Sequence, residues 1–286
     1  MLNRFKYYLP NVAQSWLLVL LMVVGGGLLV GTINILLILI FPSLSETITL
    51  LTYPIIFIPP FLIILHSSRK ELRNRIFEEC IPSVMEINNP NFGRLGAVLS
   101  MVFLFFLVFS INLITEPITY WMGVPDFLEK LMNQIHSNKI STFISIVLFA
   151  PVLEEFFCRG IILRGLLHHV TPIKAIVLSA FIFGVMHLNP WQAIPAFIIG
   201  LFMGWIYWRT HSLWATIFIH FVNNGFSYII TILFPNLPID FGFVDLIPSN
   251  YYYIIYALSL TYTIVIILLM NKNYDKTIPI KIQPHT

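Results

Sequence analysis

Long apolar runs separated by short polar stretches dominate this chain. Several of these runs reach the roughly 20 residues that a helix needs to cross a bilayer. The eight runs cover residues 16–41, 49–65, 96–115, 141–163, 173–188, 191–208, 212–233 and 251–270. The pattern predicts an all-α, polytopic membrane helix bundle of about eight transmembrane helices. Seven helices are the alternative, because the run at 173–188 is short.

Composition supports the same class of protein. Hydrophobic residues make up 58% of the 286 residues and charged residues 10%, against about 25% charged residues in soluble domains. So few charges could not cover the surface of a soluble protein of this size. The first apolar run lacks a signal-peptide cleavage site, so we expect it to be retained as a membrane helix. The Ile, Asn and Lys content and the short loops are typical of a bacterial cell-membrane protein.

The distribution of lysine and arginine predicts the orientation of the chain in the membrane. With eight spans, 13 of the 16 basic residues fall on one side. That side holds Arg4, Lys6, Arg69, Lys70, Arg73, Arg75, Arg94, Arg164, Lys174, Arg209, Lys272, Lys276 and Lys281. The other side holds Lys130 and Lys139, and Arg159 lies within a helix. Both termini are therefore expected in the cytoplasm, and the net charge of +3 gives no support for nucleic-acid binding.

Polar residues capable of chemistry are concentrated in the second half of the chain. Residues 1–135 are predicted to form N-terminal transmembrane helices and a cytoplasmic amphipathic segment, within the polar stretch 66–95. Residues 140–233 are predicted to form the core that carries the chemistry. Residues 234–286 are predicted to form a final transmembrane helix and a cytoplasmic tail.

Two pairs of small residues are expected to be structural. Cys80 and Cys158 form no CxxC motif and are expected to be free thiols. Gly200 and Gly204 are expected to let two helices pack closely against each other.

One pair of acidic residues lies inside an apolar segment. Glu154 and Glu155 are the only acidic residues between Glu129 and Asp240. A carboxylate near the bilayer centre costs about 2.5–3.5 kcal/mol on insertion scales. The pair is therefore a functional-site hypothesis, and Pro151 is expected to bend the helix just before it.

Four polar residues on three predicted helices lie at a similar depth. Each is about 15–22 Å from the basic residue at the cytoplasmic end of its helix, at 1.5 Å of rise per residue. They are Glu154, ten positions before Arg164; His187, thirteen after Lys174; and His220 and Asn224, eleven and fifteen after Arg209. This level is near the midplane of a hydrocarbon core of about 30 Å. The four side chains are therefore predicted to converge on one site.

Helical spacing divides the roles within this site. His220 and Asn224 are four residues apart and share a helix face. Glu155 and Arg159 have the same spacing, so Arg159 can neutralise Glu155 within one helix. Glu154 is rotated by about 100° from Glu155 and is expected to face the other helices. We therefore predict that the Glu155–Arg159 pair is structural and orienting, and that Glu154 is reactive.

Each residue also has a purely structural interpretation. Glu155 and Arg159 alone would be an ordinary ion pair, and His187 alone could hydrogen-bond a turn. His220 and Asn224 alone could join helices by hydrogen bonds. These interpretations leave the shared depth unexplained.

Three short motifs resemble those of a known family. Residues 154–159 match EExxxR, residues 183–187 match FxxxH, and residues 220–224 match HxxxN, in the family's order. Residues 200–215 resemble the helix and turn between the last two motifs. The pattern is that of the CPBP group, which includes type II CAAX prenyl endopeptidases, bacteriocin-processing enzymes and Abi immunity proteins. The resemblance makes residues 140–233 a CPBP/Abi-like catalytic core.

The resemblance implies hydrolysis of a peptide bond within the membrane. By that resemblance, Glu154 and His187 would hold and deprotonate the attacking water. His220 and Asn224 would then donate hydrogen bonds to the developing oxyanion. The substrate would be a hydrophobic or membrane-anchored peptide or protein, reached through a polar cavity open to the cytoplasm, with membrane lipids as the other partners.

The cofactor prediction follows from the same residues. Glu154, His187 and His220 have the His2Glu composition of catalytic zinc sites. However, the sequence has no HExxH motif, and the three residues come from three helices. The resemblance favours a glutamate-activated water and no cofactor, with a divalent metal such as zinc as the alternative.

Two other functions fit the polar cluster. A non-catalytic bacteriocin-immunity or peptide-binding protein would use the cluster to hold a peptide. An ion or proton transporter would use Glu154 as a relay. The complete set of motif residues favours the protease, since a binder does not need every catalytic group.

Overall fold

The computed structural model describes residues 2–77, 84–234 and 242–274. All the regular elements within these ranges are helices, which confirms the all-α prediction. After a short 3-10 turn at Leu2–Phe5, the helices are α1 (Val12–Ile40), α2 (Pro42–Leu51), α3 (Tyr53–Phe77), α4 (Gly93–Met122), α5 (Asp126–Ser137), α6 (139–169), α7 (Pro172–Val185), α8 (Pro190–Thr210), α9 (Leu213–Leu233), α10 (Phe243–Leu246) and α11 (Ser249–Asn273).

Five of the helices in the described ranges are long and apolar enough to span a membrane: α1, α4, α8, α9 and α11. A sixth span results if α2 and α3, which meet at a 45° bend, cross as one broken helix. The prediction of eight spans, or seven, exceeds this number. The apolar run at 173–188 accounts for part of the difference, because α7 has only 14 residues and a length of about 21 Å.

Helix α6, which carries the acidic pair, changes its helical winding four times. An α-helical piece, Ala150–Glu155, lies between two π-helical pieces, Phe143–Phe149 and Phe156–Leu163. Pro151 has no N–H to donate to the preceding turn, so the regular hydrogen-bond ladder is interrupted just before the acidic pair. Short π-helical pieces inside a helix are frequent at functional sites.

The buried core is built around the second half of α6. Phe157, Ile161 and Ile162 are fully buried there. Helices α7 and α8 pack against this half and approach each other closely at two glycines. A Cβ atom on Gly200 would lie 3.3 Å from the Cα atom of Ala180, and one on Gly204 would lie 3.1 Å from Ile176. The predicted close packing at both glycines is confirmed.

Arg164 holds the N-terminal segment against α6. Its guanidinium group donates hydrogen bonds of 2.6–3.3 Å to the backbone carbonyls of Phe5, Lys6, Tyr8 and Met85. The sequence places Arg164 among the cytoplasmic basic residues, but the structure buries it, with 1% of its surface exposed. The reason is that these carbonyls have no partner in regular secondary structure and need a donor.

Arg209 has a similar role at the end of α11. It is buried and donates to the carbonyls of Asn271 and Tyr274, at 3.0 and 3.1 Å. The last carbonyls of a helix lack partners within the helix, which is why a cation is favourable there. Both arginines therefore fix chain segments onto the core.

Candidate active site

Glu155 is the centre of the buried polar cluster. Its side chain is fully buried, and its Oε1 atom accepts hydrogen bonds from Arg159 Nη1 and His220 Nδ1, each at 2.9 Å. The predicted Glu155–Arg159 ion pair is thereby confirmed. The contact with His220 differs from the prediction, which placed His220 beside Glu154. A buried carboxylate needs several such partners to offset the cost of removing its charge from water.

The ring of Phe183 joins the ion pair to both histidines. The guanidinium carbon of Arg159 lies 4.5 Å from the centre of this ring, at a distance typical of cation–π contacts. The rings of His187 and His220 meet the same ring edge-on, with centroids 5.2 and 5.6 Å away. Arg159 also donates to the carbonyl of Gly200 at 3.2 Å. Phe183 therefore gathers residues from α6, α7 and α9 around one aromatic ring.

The partners of His220 fix the roles of its two nitrogens. Because Nδ1 faces the Glu155 carboxylate, which accepts hydrogen bonds, Nδ1 carries a proton. The other nitrogen, Nε2, is then an acceptor in the neutral ring and a donor in the protonated ring. Glu155 thus orients His220 in the way that a carboxylate orients the histidine of a hydrolase.

His187 is oriented by the end of the helix that precedes it. Its Nδ1 lies 2.9 Å from the backbone carbonyl of Phe183, so Nδ1 carries the proton and Nε2 is an acceptor in the neutral ring. The residue follows the last turn of α7, just before Leu188, whose φ of 57° turns the chain sharply. Asn189 then caps α8 by accepting from the backbone N–H of Gln192. A half-buried histidine at such a turn can contact a ligand while the preceding helix stays in place.

Glu154 is half-buried and lies apart from the Glu155 cluster. Its Oε1 atom accepts a hydrogen bond of 2.5 Å from the hydroxyl of Tyr53. Tyr53 is the first residue of α3, at the bend between α2 and α3. Within the part of the chain that the structure describes, no hydrogen bond joins Glu154 to His187 or to His220. Glu154 was predicted to face these two histidines, and its hydrogen bond goes to Tyr53 instead.

Sequence reasoning missed Tyr53 because it lies 101 positions before its partner. No motif marks the first 135 residues, and tyrosine is common in apolar runs. The one available signal is the Tyr53-Pro54 pair, since proline disfavours a helical conformation of the residue before it. Such a break inside an apolar run indicates a bend at which a polar side chain can point inward.

Asn224 is held by two neighbours. Its Nδ2 atom donates to the carbonyl of Ile146 at 2.9 Å, and its Oδ1 atom accepts from Asn223 at 3.2 Å. Asn223 in turn accepts from Asn112 of α4 at 3.0 Å. Part of this network therefore links helices, in agreement with the purely structural interpretation of Asn224. The second hydrogen of Asn224 Nδ2 is left for another acceptor.

Two atoms of the central ion pair have no partner among the residues that the structure describes. The Oε2 atom of Glu155 and the Nε atom of Arg159 are both buried without a hydrogen bond. Buried polar atoms of this kind usually bond to ordered water or to a ligand. The cluster therefore offers one acceptor and one donor to a polar group that enters it.

The predicted metal-ligand set is not assembled. In the described ranges, no group of three or more His, Cys, Asp or Glu side chains is arranged to hold a metal ion. Glu154 bonds to Tyr53, and His220 bonds to Glu155. The donors of these residues thus do not fit a shared metal in this arrangement. Cys158 is a buried free thiol, as predicted, whereas Cys80 lies outside the described residues.

Fold and site together define an all-helical integral membrane protein with a charged cluster buried among its helices. Residues 136–226 match the family described as "Type II CAAX prenyl endopeptidase Rce1-like". This segment covers α6, α7, α8 and α9 up to residue 226, and it contains the three motifs. The resemblance stated from the sequence is therefore confirmed over these residues.

One curated relative is also named as a membrane peptidase. The chain is 27% identical over 101 residues to the protein named "Putative membrane peptidase YdiL" of Bacillus subtilis (strain 168). The alignment covers 35% of this chain and 41% of that relative. No solved structure matches the chain. Together, these comparisons show that part of the chain is similar to type II CAAX prenyl endopeptidases and to a membrane peptidase.

Proposed function

We propose that this protein is an intramembrane endopeptidase that hydrolyses a hydrophobic or membrane-anchored peptide with a glutamate-activated water. The observation that carries the proposal is the family match over residues 136–226, which contains every motif residue. The arrangement of the side chains supports it, because Glu154 is separate from the neutralised Glu155–Arg159 pair. A carboxylate without a cationic partner in an apolar site is the better general base.

In the first step, Glu154 takes a proton from water while the water oxygen attacks the scissile carbonyl carbon. The carbonyl electrons move onto its oxygen, which becomes an oxyanion. The hydroxyl of Tyr53 donates to Glu154 and orients its carboxylate. His187 would hold the water through Nε2, the nitrogen that its hydrogen bond to Phe183 leaves free.

Asn224 and His220 would stabilise the oxyanion. Asn224 supplies the second hydrogen of its amide, and His220 supplies Nε2–H when its ring is protonated. Glu155 orients that ring, because its carboxylate contacts Nδ1 at 2.9 Å and leaves Nε2 to face the substrate. The C–N bond then breaks, and the leaving amine takes the proton that Glu154 holds. This last transfer restores the Glu154 carboxylate.

The test is substitution of Glu154 by glutamine, which keeps the shape of the side chain and removes the base. We expect membrane proteomics to show at least one uncleaved precursor that accumulates with Glu154→Gln and is absent with the wild-type protein. Glu129→Gln, a carboxylate removed outside the motifs, is the matched control and should behave like the wild type. Normal processing with Glu154→Gln would overturn the proposal.

The same variant separates the protease from the other two functions. A peptide-binding or immunity protein would keep its protective effect with Glu154→Gln and accumulate no precursor. A proton or ion transporter would lose gradient-driven flux in proteoliposomes with the same substitution. Metal analysis of the purified protein, with and without a chelator, decides the cofactor independently of these outcomes.

A further inference from the structure

A second site lies at the far end of α3 from Tyr53. A cavity of about 430 Å³ opens between the N-terminal turn and α3, and it shares no residue with the candidate active site. It is lined by Arg4, Tyr7, Ser68, Arg69 and Leu72. Ser68 is fifteen residues after Tyr53, roughly 22 Å along the helix. The cavity is therefore distinct from the proposed site of hydrolysis.

The two walls of this cavity are joined by hydrogen bonds. The backbone N–H of Tyr7 donates to the hydroxyl of Ser68 at 3.1 Å, which fastens the N-terminal segment to α3. Arg164 holds the carbonyls of Lys6 and Tyr8 on either side of Tyr7. The segment that carries Arg4 is thus fixed from two directions.

The cavity carries positive charge, and among the described residues no acidic side chain lines it. Arg4 and Arg69 are exposed, and within the described part of the chain neither has a hydrogen bond or an ion pair. Two nearby carboxylates, Glu71 on α3 and Glu86 after it, are already paired with other cations. These pairs are Arg75–Glu71 at 2.8 Å and Lys6–Glu86 at 3.7 Å. Two guanidinium groups are therefore left to bind an external anion.

An apolar surface leads along α3 to this cavity. Ile58 and Leu62 are 44% and 61% exposed, as expected of side chains that face lipid. Leu62 precedes Arg69 by seven residues, which is two helical turns, so the two side chains lie on the same face. Leu72 then adds an apolar side chain to the cavity itself. The anion that fits this surface carries an apolar tail.

We propose that Arg4 and Arg69 bind the phosphate of an anionic phospholipid whose acyl chain lies along the Leu62 face of α3. Guanidinium groups match phosphate through paired, charge-assisted hydrogen bonds. Basic residues next to a membrane helix are the usual site of attraction for anionic lipid head groups. This proposal goes beyond the proposed function and does not depend on it.

The experiment measures thermal unfolding of the purified full-length protein in neutral detergent while lipid is added. Phosphatidylglycerol should raise Tm in a saturable manner, because a ligand that binds only the folded state stabilises it. The double variant Arg4→Gln/Arg69→Gln should bind this lipid roughly 30-fold more weakly, through the loss of two basic contacts to the head group. Arg4→Lys/Arg69→Lys keeps both charges but loses the paired hydrogen bonds, so it should bind more weakly than the wild type and more tightly than the double glutamine variant.

A matched control removes the same charge elsewhere. Arg94→Gln/Lys272→Gln changes two exposed residues outside the cavity and should respond like the wild type. An equal loss of response in this control would overturn the proposal, as would equal stabilisation by phosphatidylcholine. Equal stabilisation by glycerol phosphate at the same concentration would assign the site to a soluble phosphate compound instead. If the double glutamine variant does not fold, Arg69→Gln alone should weaken binding about fivefold.

Discussion

Glu154 and Glu155 are neighbours in the chain but lie in different environments. Glu155 is fully buried and shared between Arg159 and His220, whereas Glu154 is half-buried and bonded to the hydroxyl of Tyr53. An ion pair buried in this way depends on both partners, because removal of one leaves the other charge uncompensated. The half-buried carboxylate depends much less on its surroundings. Substitution by glutamine should therefore affect mainly the stability of the fold at Glu155 and mainly the turnover at Glu154.

Glu155→Gln should destabilise the fold by about 3–5 kcal/mol, because it leaves the Arg159 guanidinium buried without an anion. Glu154→Gln should leave the stability close to that of the wild type and abolish turnover. Thermal unfolding in detergent measures the first effect, and cleavage of the accumulated precursor measures the second. An equal loss of stability in both variants would contradict the division of roles.

Tyr53→Phe should lower kcat by roughly 10- to 100-fold, since a hydrogen bond to a charged group contributes about 1.5–3 kcal/mol. KM should change little, because the phenyl ring keeps its edge contact with Phe57. Tyr262→Phe removes a tyrosine hydrogen bond to a backbone carbonyl of α4 and is the matched control. A change in KM alone would instead indicate that Tyr53 contacts the substrate.

At the scale of the elements, α6 is the helix around which the buried core is built. Its π-helical pieces surround the acidic pair, and its last turns contact the N-terminal segment. Gly165 illustrates the closeness of this contact. A Cβ atom there would lie 2.5 Å from the backbone nitrogen and oxygen of Pro10, which cannot move aside like a side chain. The N-terminal segment is therefore packed against α6 and is part of the same folded unit.

Gly165→Ala should destabilise the protein by about 1–3 kcal/mol, the usual cost of forcing an extra methyl group into a closely packed contact. Gly31→Ala is the control, because no atom lies within 4 Å of the added Cβ. That change should be neutral or stabilising by up to about 1 kcal/mol, since alanine favours the helix. Thermal unfolding of the two variants compares these effects directly.

At the scale of the whole molecule, the number of membrane crossings and the orientation of the termini are linked. Two cytoplasmic termini require an even number of crossings. Six crossings, with α2 and α3 as one broken span, satisfy this requirement, and so do eight. Five crossings do not. The bend beside Tyr53 therefore affects the number of membrane crossings as well as the environment of Glu154.

Reporter fusions test this link. A fluorescent protein that folds only in the cytoplasm should fluoresce when fused to either terminus, and an externally active phosphatase should be silent at both. One fluorescent and one silent terminus would establish an odd number of crossings. Five crossings, with the α2–α3 pair entering and leaving the membrane on the same side, and seven crossings are the two arrangements that give this result.

The sequence by itself determined the class of this protein and the ion pair at the centre of its candidate site. Apolar runs and scarce charge require a helical membrane bundle, since only helices or closed barrels satisfy the backbone in lipid. The spacing of Glu155 and Arg159 predicted their ion pair, because residues four apart meet on one helix face. Three motifs predicted the resemblance to the family, over residues that the family model then matched.

Only the tertiary structure decided which partner each acidic residue has. His220 bonds to Glu155, and Tyr53 bonds to Glu154, across 65 and 101 positions of sequence. The burial of Arg164 was likewise not foreseen, because its carbonyl partners lie in segments far away in the chain. Periodicity specifies the face of a helix on which a residue lies. Which helix packs against that face depends on bends, glycine contacts and π-helical turns that act over long sequence distances.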